Sequence, residues 1–227
     1  MINMAIVVLL SYMVGSMPTA IMLSKWRHGF DIRTKGSGNA GGTNVFRVLG
    51  WKSGVFVMAI DLLKGLFATS VVSRLFWDPA LPFYNHTPFD DFTIIQMICG
   101  SAAIIGHVWT VFAGFKGGKG IATAAGMLIG LTPTEFIVSV LVFFIFLLAF
   151  RYVSLGSIMA AVAFPLTLII RYNILSDEIH SYKTLVFFSI GTALFLIYSH
   201  RENIKRLLAG TEKKITSFKG RTEEAHL

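Results

Sequence analysis

Charge is the feature that most constrains this chain. Long apolar runs recur from one end of the 227 residues to the other, and short segments between them hold nearly all of the Lys, Arg, Asp and Glu. Charged residues make up only 14%, against about 25% in soluble domains. The hydrocarbon core of a bilayer is about 30 Å thick and takes about 20 helical residues to cross. Backbone N–H and C=O groups find no water there, so runs of this kind must be helical. Seven candidate spans follow: 2–24, 53–75, 93–112, 120–132, 134–150, 155–172 and 183–199. The fourth is short, roughly 20 Å as a helix, and is expected to begin behind a loop that dips into the membrane. Thr132-Pro133-Thr134 separates it from the fifth span. The fold class is all-α, a polytopic helix bundle. Residues 1–200 form the bundle, with loops at 25–52, 113–120 and 151–154, and 201–227 form a C-terminal motif and tail. The first stretch lacks a basic n-region, so it reads as a span and not as a cleaved signal.

Seven spans put the termini on opposite sides. One side then receives the basic residues of 25–52, Lys116, Lys119, Arg151 and the basic tail; the other keeps only Arg171 and Lys183, beside six acids. Lys64 and Arg74 lie in or at the end of the second span. The positive-inside rule makes the basic side cytoplasmic, with the N-terminus outside and the C-terminus inside. A six-span model would put the basic tail outside. The net charge of +8 suits an anionic membrane surface or an anionic substrate. Phe sits inside apolar runs and not among clustered lysines, so nucleic acid is not an expected partner; membrane lipid is. The single cysteine, Cys99, lies in an apolar run and can make neither an internal disulfide nor a Cys-based metal site. No His/Asp/Glu ligand cluster stands out, and no metal or cofactor is expected.

Three constellations fall on the basic side. The first runs from Lys35 through Ser37, Asn39 and Thr43 to Asn44, with four glycines among ten residues and Arg47 just beyond. Successive N–H groups in such a run form anion-binding concavities, and an Arg fork suits a phosphate. The competing reading is a flexible linker, but linkers are mostly Gly and Ser with little else. The second, Phe115-Lys116-Gly117-Gly118-Lys119-Gly120, leads into an apolar helix and reads as a phosphate cradle at a helix N-terminus. A basic flank beside a small-residue helix contact is the alternative. It is not a Walker A loop, since Ala113 and Gly120 stand where that motif needs Gly and Ser or Thr. The third follows the last span: His200, Asn203, Arg206, Gly210 and Glu212. His200 and Asn203 share a helix face. Glu202 and Arg206 are spaced as a solvated i,i+4 pair, and Gly210 as a helix stop. Within the second span Asp61 and Lys64 are three apart, as a salt bridge or as functional ions. Ser154 is either an N-cap or a further site residue.

In order and at these spacings, Gly15-Ser16-Met17-Pro18, Ser37-Gly38-Asn39 through Arg47, Asp61-Leu62-Leu63-Lys64-Gly65, Phe115 through Gly120 and His200 through Glu212 resemble the bacterial membrane glycerol-3-phosphate acyltransferases that use acyl phosphate. The likeness covers nearly the whole chain. It departs at Ala40 and Gly42, where that family often has Pro and Ala. The resemblance implies an enzyme of the bacterial inner membrane, with its site facing the cytoplasm. Its reaction makes 1-acyl-glycerol 3-phosphate and inorganic phosphate from acyl phosphate and sn-glycerol 3-phosphate, the first step of phospholipid synthesis. It implies catalytic roles for Ser37, Arg47, Lys119, His200 and Asn203. Substrate contacts are implied for Lys35, Asn39, Thr43, Asn44, Gly117, Gly118, Gly120, Ser154 and Glu212. No metal, acyl-CoA or acyl-enzyme is implied. The proton acceptor is either His200 or the phosphate of the donor. An H-x4-D pair, His86 and Asp91, marks many acyl-CoA enzymes, but it falls in the acidic loop on the expected outer face. A transporter of anionic solutes would need polar residues throughout the membrane depth, and only Asp61 and Lys64 answer to that.

Overall fold

The computed structural model describes residues 2–75, 91–179 and 181–215, and their regular structure is helical throughout. In chain order the helices are α1 (Ile2–Ser16), α2 (Thr19–His28), α3 (Gly42–Leu49) and α4 (Trp51–Phe67). A π-helical turn at Ala68–Val72 carries α4 into α5 (Ser73–Leu75). Then come α6 (Asp91–Val108), α7 (Ile121–Leu131), α8 (Pro133–Phe150), α9 (Val153–Asn173), α10 (Tyr182–Ser199) and α11 (Arg201–Leu208). Six rods among the described residues are long and apolar enough to cross a bilayer: Met4–His28, Trp51–Leu75, Phe92–Ala113, Pro133–Phe150, Val153–Asn173 and Tyr182–Ser199. The short one is α7, at 11 residues, about 16 Å long.

The first rod runs on to His28 and is broken in the middle, where the sequence suggests one helix over 2–24. Pro18 has no N–H to donate and disfavours helical geometry in the residue before it, so carbonyls at the break lose their intrahelical partners. Two side chains from other helices take them up. The Thr110 hydroxyl donates to the Ser16 carbonyl and the Lys64 ammonium to the Met17 carbonyl. Lys64 also pairs with Asp61 at 2.7 Å, both buried. The charged pair inside the second span is thus a salt bridge that braces a proline break.

Packing sets the direction of each rod. Tyr12 donates to the Trp109 carbonyl at 2.7 Å, and α1 lies parallel to α6. Next to them α4 and α7 also run parallel, touching along a seam of small residues. A Cβ at Gly65 would stand 1.9 Å from the Thr123 carbonyl oxygen, and one at Gly126 1.9 Å from that of Leu62. Only glycine allows backbones this close. After α7 the chain reverses at Thr132, and Pro133 occupies the first turn of α8, where its missing N–H costs nothing. A two-residue turn at Arg151-Tyr152 joins α8 to α9, and α10 packs on α9. The main core, with Met97, Ile104, Met127, Leu128, Phe164, Leu168 and Leu196, lies between α6, α7, α9 and α10. By contrast α8 shows most of its surface to the outside. Its start is fixed at the far end by buried Glu135, which accepts from Arg171 at 2.6 Å; Arg171 also pairs with Asp177 at 2.8 Å. All three sequence motifs gather at the opposite end.

Candidate active site

The first loop is built around one amide. Asn44, 1% exposed, accepts from the Ser37 N–H at 2.7 Å and donates to the Ile32 and Lys35 carbonyls at 3.1 and 3.0 Å. Both of its amide atoms are engaged in the loop. The sequence reading offers it as a substrate contact; the structure makes it the peg on which the loop hangs and also places it at the cavity wall. Asp31 caps the 3-10 turn at Ile32–Thr34 and fixes Arg33. The Arg33 guanidinium reaches across to the Ala113 and Lys116 carbonyls at 2.8 and 3.1 Å, tying the first loop to the second.

The second loop keeps its shape by docking. Gly117 N–H donates to the Val108 carbonyl at 3.0 Å and Gly118 N–H to that of His107 at 3.1 Å, which satisfies the end of α6. Those two N–H groups are consequently engaged, where the sequence expectation has them cradling a phosphate. Gly118 lies flat against the His107 ring: a Cβ there would be 2.1 Å from Nε2. Gly120 then turns the chain into α7 at φ +84°, a region open to glycine at no steric cost.

The third motif closes the ring. His200 is 3% exposed and Asn203 6%. Lys119 Nζ donates to Asn203 Oδ1, and Asn203 Nδ2 to Glu212 Oε1 at 2.7 Å. Glu212 also accepts from Ser154 at 2.7 Å and from Arg206 at 2.7 Å. Arg206 thus pairs with Glu212, and Glu202 with Lys205 at 3.1 Å, in place of the i,i+4 pair that the spacing suggests. The difference is burial: Glu212 is enclosed and Glu202 is not. Gly210 ends α11 at φ +67°. Beyond it the tail lies across the mouth, with Arg47 donating to the Lys213 carbonyl at 3.3 Å and Ile215 N–H to that of Arg151 at 2.9 Å. Ser154 and Glu212 hold this tail to α9.

A cavity of about 430 Å³ opens among these elements. Its polar mouth is lined by Ser37, Asn39, Thr43, Asn44, Arg47, Lys119, Gly120, Ser154, His200, Asn203 and Glu212. An apolar arm continues inward between α7, α8 and α9, lined by Ile121, Ala124, Ala125, Leu128, Phe136, Val140, Phe143, Ala160, Ala161 and Phe164. Gly117 and Gly118 border a separate water-sized space with Asp61, His107 and Thr110. Lys35 is exposed, its ammonium 4.7 Å from the centre of the Phe30 ring. Three residues of the site are absent from the sequence reading: His107, Arg33 and, as the partner of Glu212, Arg206. Gly106-His107 ahead of the glycine run was a readable hint for the first. His86 lies outside the described residues.

Burial and neighbouring charge set the electrostatics. Burial pushes the Lys119 ammonium down to about 8; Glu212 works against this, while Arg206 and Arg47 add to it. Burial, with Lys119 nearby, pushes His200 down to about 4. His200 is therefore neutral at physiological pH. With Nδ1 2.9 Å from the Leu196 carbonyl, its proton belongs on Nδ1, and Nε2 is left as an acceptor. Burial also lowers Arg47, whose ordinary value is high enough to keep it charged. Burial acts against the Glu212 carboxylate, but hydrogen bonds from Asn203, Ser154 and Arg206 outweigh it and hold the carboxyl below its ordinary value.

A cationic, hydrogen-bonding mouth over a greasy arm suits an amphiphile with an anionic head, met by an integral membrane protein. The chain belongs to the glycerol-3-phosphate acyltransferase family, whose model matches residues 5–210. It is 42% identical to the glycerol-3-phosphate acyltransferase of Chlorobium limicola, over 95% of this chain and 98% of that protein. With the enzyme of the same name from Chlorobium phaeobacteroides it shares 44% identity, over 95% of this chain and 97% of the other. Among solved structures it is similar to PlsY (YgiH), an integral membrane glycerol 3-phosphate acyltransferase. The glycerol 3-phosphate form matches at TM-score 0.78 and 34% identity, over 93% of this chain and 95% of that one. The lysophosphatidic acid form matches at 0.75 and 33%, with the same coverage.

Proposed function

We propose that this chain transfers the acyl group of an acyl phosphate to the 1-hydroxyl of sn-glycerol 3-phosphate, at the cytoplasmic face of a bacterial inner membrane. The observation that carries this reading is the single cavity joining the Lys119–Arg47 mouth to the apolar arm. The acyl chain of the donor lies in the arm, and its phosphate meets Lys119 and Ser37. Glycerol 3-phosphate binds at Arg47, His200 and Asn203, with Asn39 and Thr43 completing the wall. The glycerol oxygen attacks the acyl carbonyl, a C–O ester bond forms, and the C–O bond to phosphate breaks. An acyl phosphate is already activated, so alignment of two anions and stabilisation of the oxyanion are the main tasks. His200, with its depressed pKa of about 4, is a weak base. It orients the hydroxyl through Nε2, and the departing phosphate takes the proton. Ser154 and Glu212 act from behind, by holding Asn203 and the tail.

The test uses protein purified in detergent with labelled glycerol 3-phosphate. Palmitoyl phosphate should yield labelled lysophosphatidic acid, whereas palmitoyl-CoA should yield none, and His86→Ala should leave the rate unchanged. Activity with palmitoyl-CoA alone would overturn the donor. Reporter fusions at residues 85 and 215 should report opposite sides of the membrane, with 215 inside, as the charge distribution requires.

A further inference from the structure

Along α8, Phe136, Ser139, Val140 and Phe143 recur at helical spacing and line one wall of the apolar arm. The facing walls are small, with Ala124 and Ala125 on α7 and Ala160 and Ala161 on α9. At the inner end this changes. Leu128, Phe136 and Phe164 come together there, and Phe136 packs against the main core, to which Leu128 and Phe164 belong. Leu128 is three residues before the end of α7 and Phe136 three after the start of α8, so the two lie at one depth. An arm with alanine walls and a bulky floor holds a straight chain of limited length.

Ser139 marks the same place. Its side chain is buried, it lines the cavity one turn from Phe136, and its hydroxyl has no hydrogen-bond partner in the structure. A buried hydroxyl without a partner is destabilising, and the small side chain that carries it leaves room at this point of the wall.

We infer that Phe136 and Ser139 set the acyl-chain length, Phe136 as the floor of the arm and Ser139 as the gap that lets the chain reach it. The inference rests on the proposed reaction for the identity of the chain. From Val153 at the mouth to Phe164 at the floor α9 rises by about 16 Å at ~1.5 Å per residue. An extended hydrocarbon advances about 1.2 Å per bond, as a polypeptide does over its three bonds per residue. A chain of about 14 carbons therefore fills the arm, and 18 carbons press on Phe136.

Two variants move the limit in opposite directions. Phe136→Ala opens the floor, and Ser139→Leu fills the gap while removing the unpaired hydroxyl, so it keeps the fold. Two readouts are taken on detergent-purified protein of each kind. One is kcat/KM with acyl phosphates of 12, 14, 16 and 18 carbons. The other is the rise in Tm given by unreactive alkyl phosphates of the same lengths. Phe136→Ala should raise the 18-to-14-carbon ratio of kcat/KM about tenfold, the gain expected when two more methylenes are buried. Ser139→Leu should lower that ratio by a similar factor and favour 12 carbons over 14. The Tm series should shift in the same two directions. Unchanged length profiles in both variants would overturn the inference. Wild-type protein that transfers from no acyl phosphate would instead overturn the proposed reaction, and the alkyl phosphate series would then decide the length limit alone.

Discussion

The two glycine-rich loops at the cavity mouth look alike in sequence and hold their shapes by opposite means. In the first, a side chain organises the backbone: Asn44 fixes Ser37, Ile32 and Lys35, which leaves the Ser37 hydroxyl and Arg47 at the cavity. In the second, the backbone organises itself by docking Gly117 and Gly118 on the carbonyls that end α6, which leaves one ammonium, Lys119, at the cavity. The difference teaches that glycine serves two purposes here. One loop uses it to turn tightly around an amide and the other to lie flat on a neighbouring helix, and in each a cationic side chain lines the cavity.

The largest effect expected from this contrast is at Asn44. Asn44→Ala removes three hydrogen bonds at about 1 kcal/mol each, so Tm should fall sharply and activity with it. Lys119→Ala should separate the two readouts. Burial disfavours its ammonium, so Tm should hold or rise. Loss of a charge-assisted contact of about 1.5–3 kcal/mol should cut kcat/KM roughly 10- to 150-fold. An Asn44→Ala protein with wild-type Tm would erase the distinction between peg and ligand. Gly118→Ala tests the docked loop. Its Cβ would stand 2.1 Å from the His107 ring, and overpacking of about 1–3 kcal/mol should lower both Tm and kcat/KM, because Lys119 moves with the loop.

A smaller effect comes from pH. Lys119, held at about 8, is a cation below that value and neutral above it, so an anion binds tightly on the acid side and loosens on the alkaline side. Inhibition by sulfate, which does not itself titrate in this range, should be flat from pH 6 to 7.5 and weaken about tenfold by pH 9. His200, at about 4, adds no limb in that window. Lys119→Arg should remove the alkaline limb at the cost of fit in the narrow site. The smallest effect is at Lys116, whose side chain is exposed and whose carbonyl alone meets Arg33. Lys116→Ala should change kcat/KM by less than threefold, within about 0.5 kcal/mol as at other exposed sites.

The rods were legible because hydropathy and helix length act locally: Thr132-Pro133 is a boundary in both sequence and structure, and α7 is short in both. The residues at the mouth were legible as three basic motifs on one side, two of them glycine-rich. What escaped was set by contacts between distant segments. Nothing near Pro18 announces that Lys64 and Thr110 will take up its freed carbonyls. Nothing in the spacing of α11 ranks Glu212 above Glu202 as the partner of Arg206; burial decides that. The intramolecular partners of Asn44, Gly117 and Gly118 were hidden for a related reason. A polar group's availability to a ligand depends on which neighbours have already claimed it, and a sequence does not display those claims.

The seam of α4 and α7 has a mechanical consequence. With Gly65 and Gly126 each pressed on the other helix's backbone, the two rods behave as one stiff plank, since any sliding drives a carbonyl into a Cα. Opposite that plank stands α8, pinned at its start by Glu135 and Arg171 and at its end by the turn at Arg151, with little but solvent or lipid behind it. A guest that needs a wider berth must bow α8 outward like a string fixed at both ends, and the stiffness of that one helix sets how wide the cavity can become.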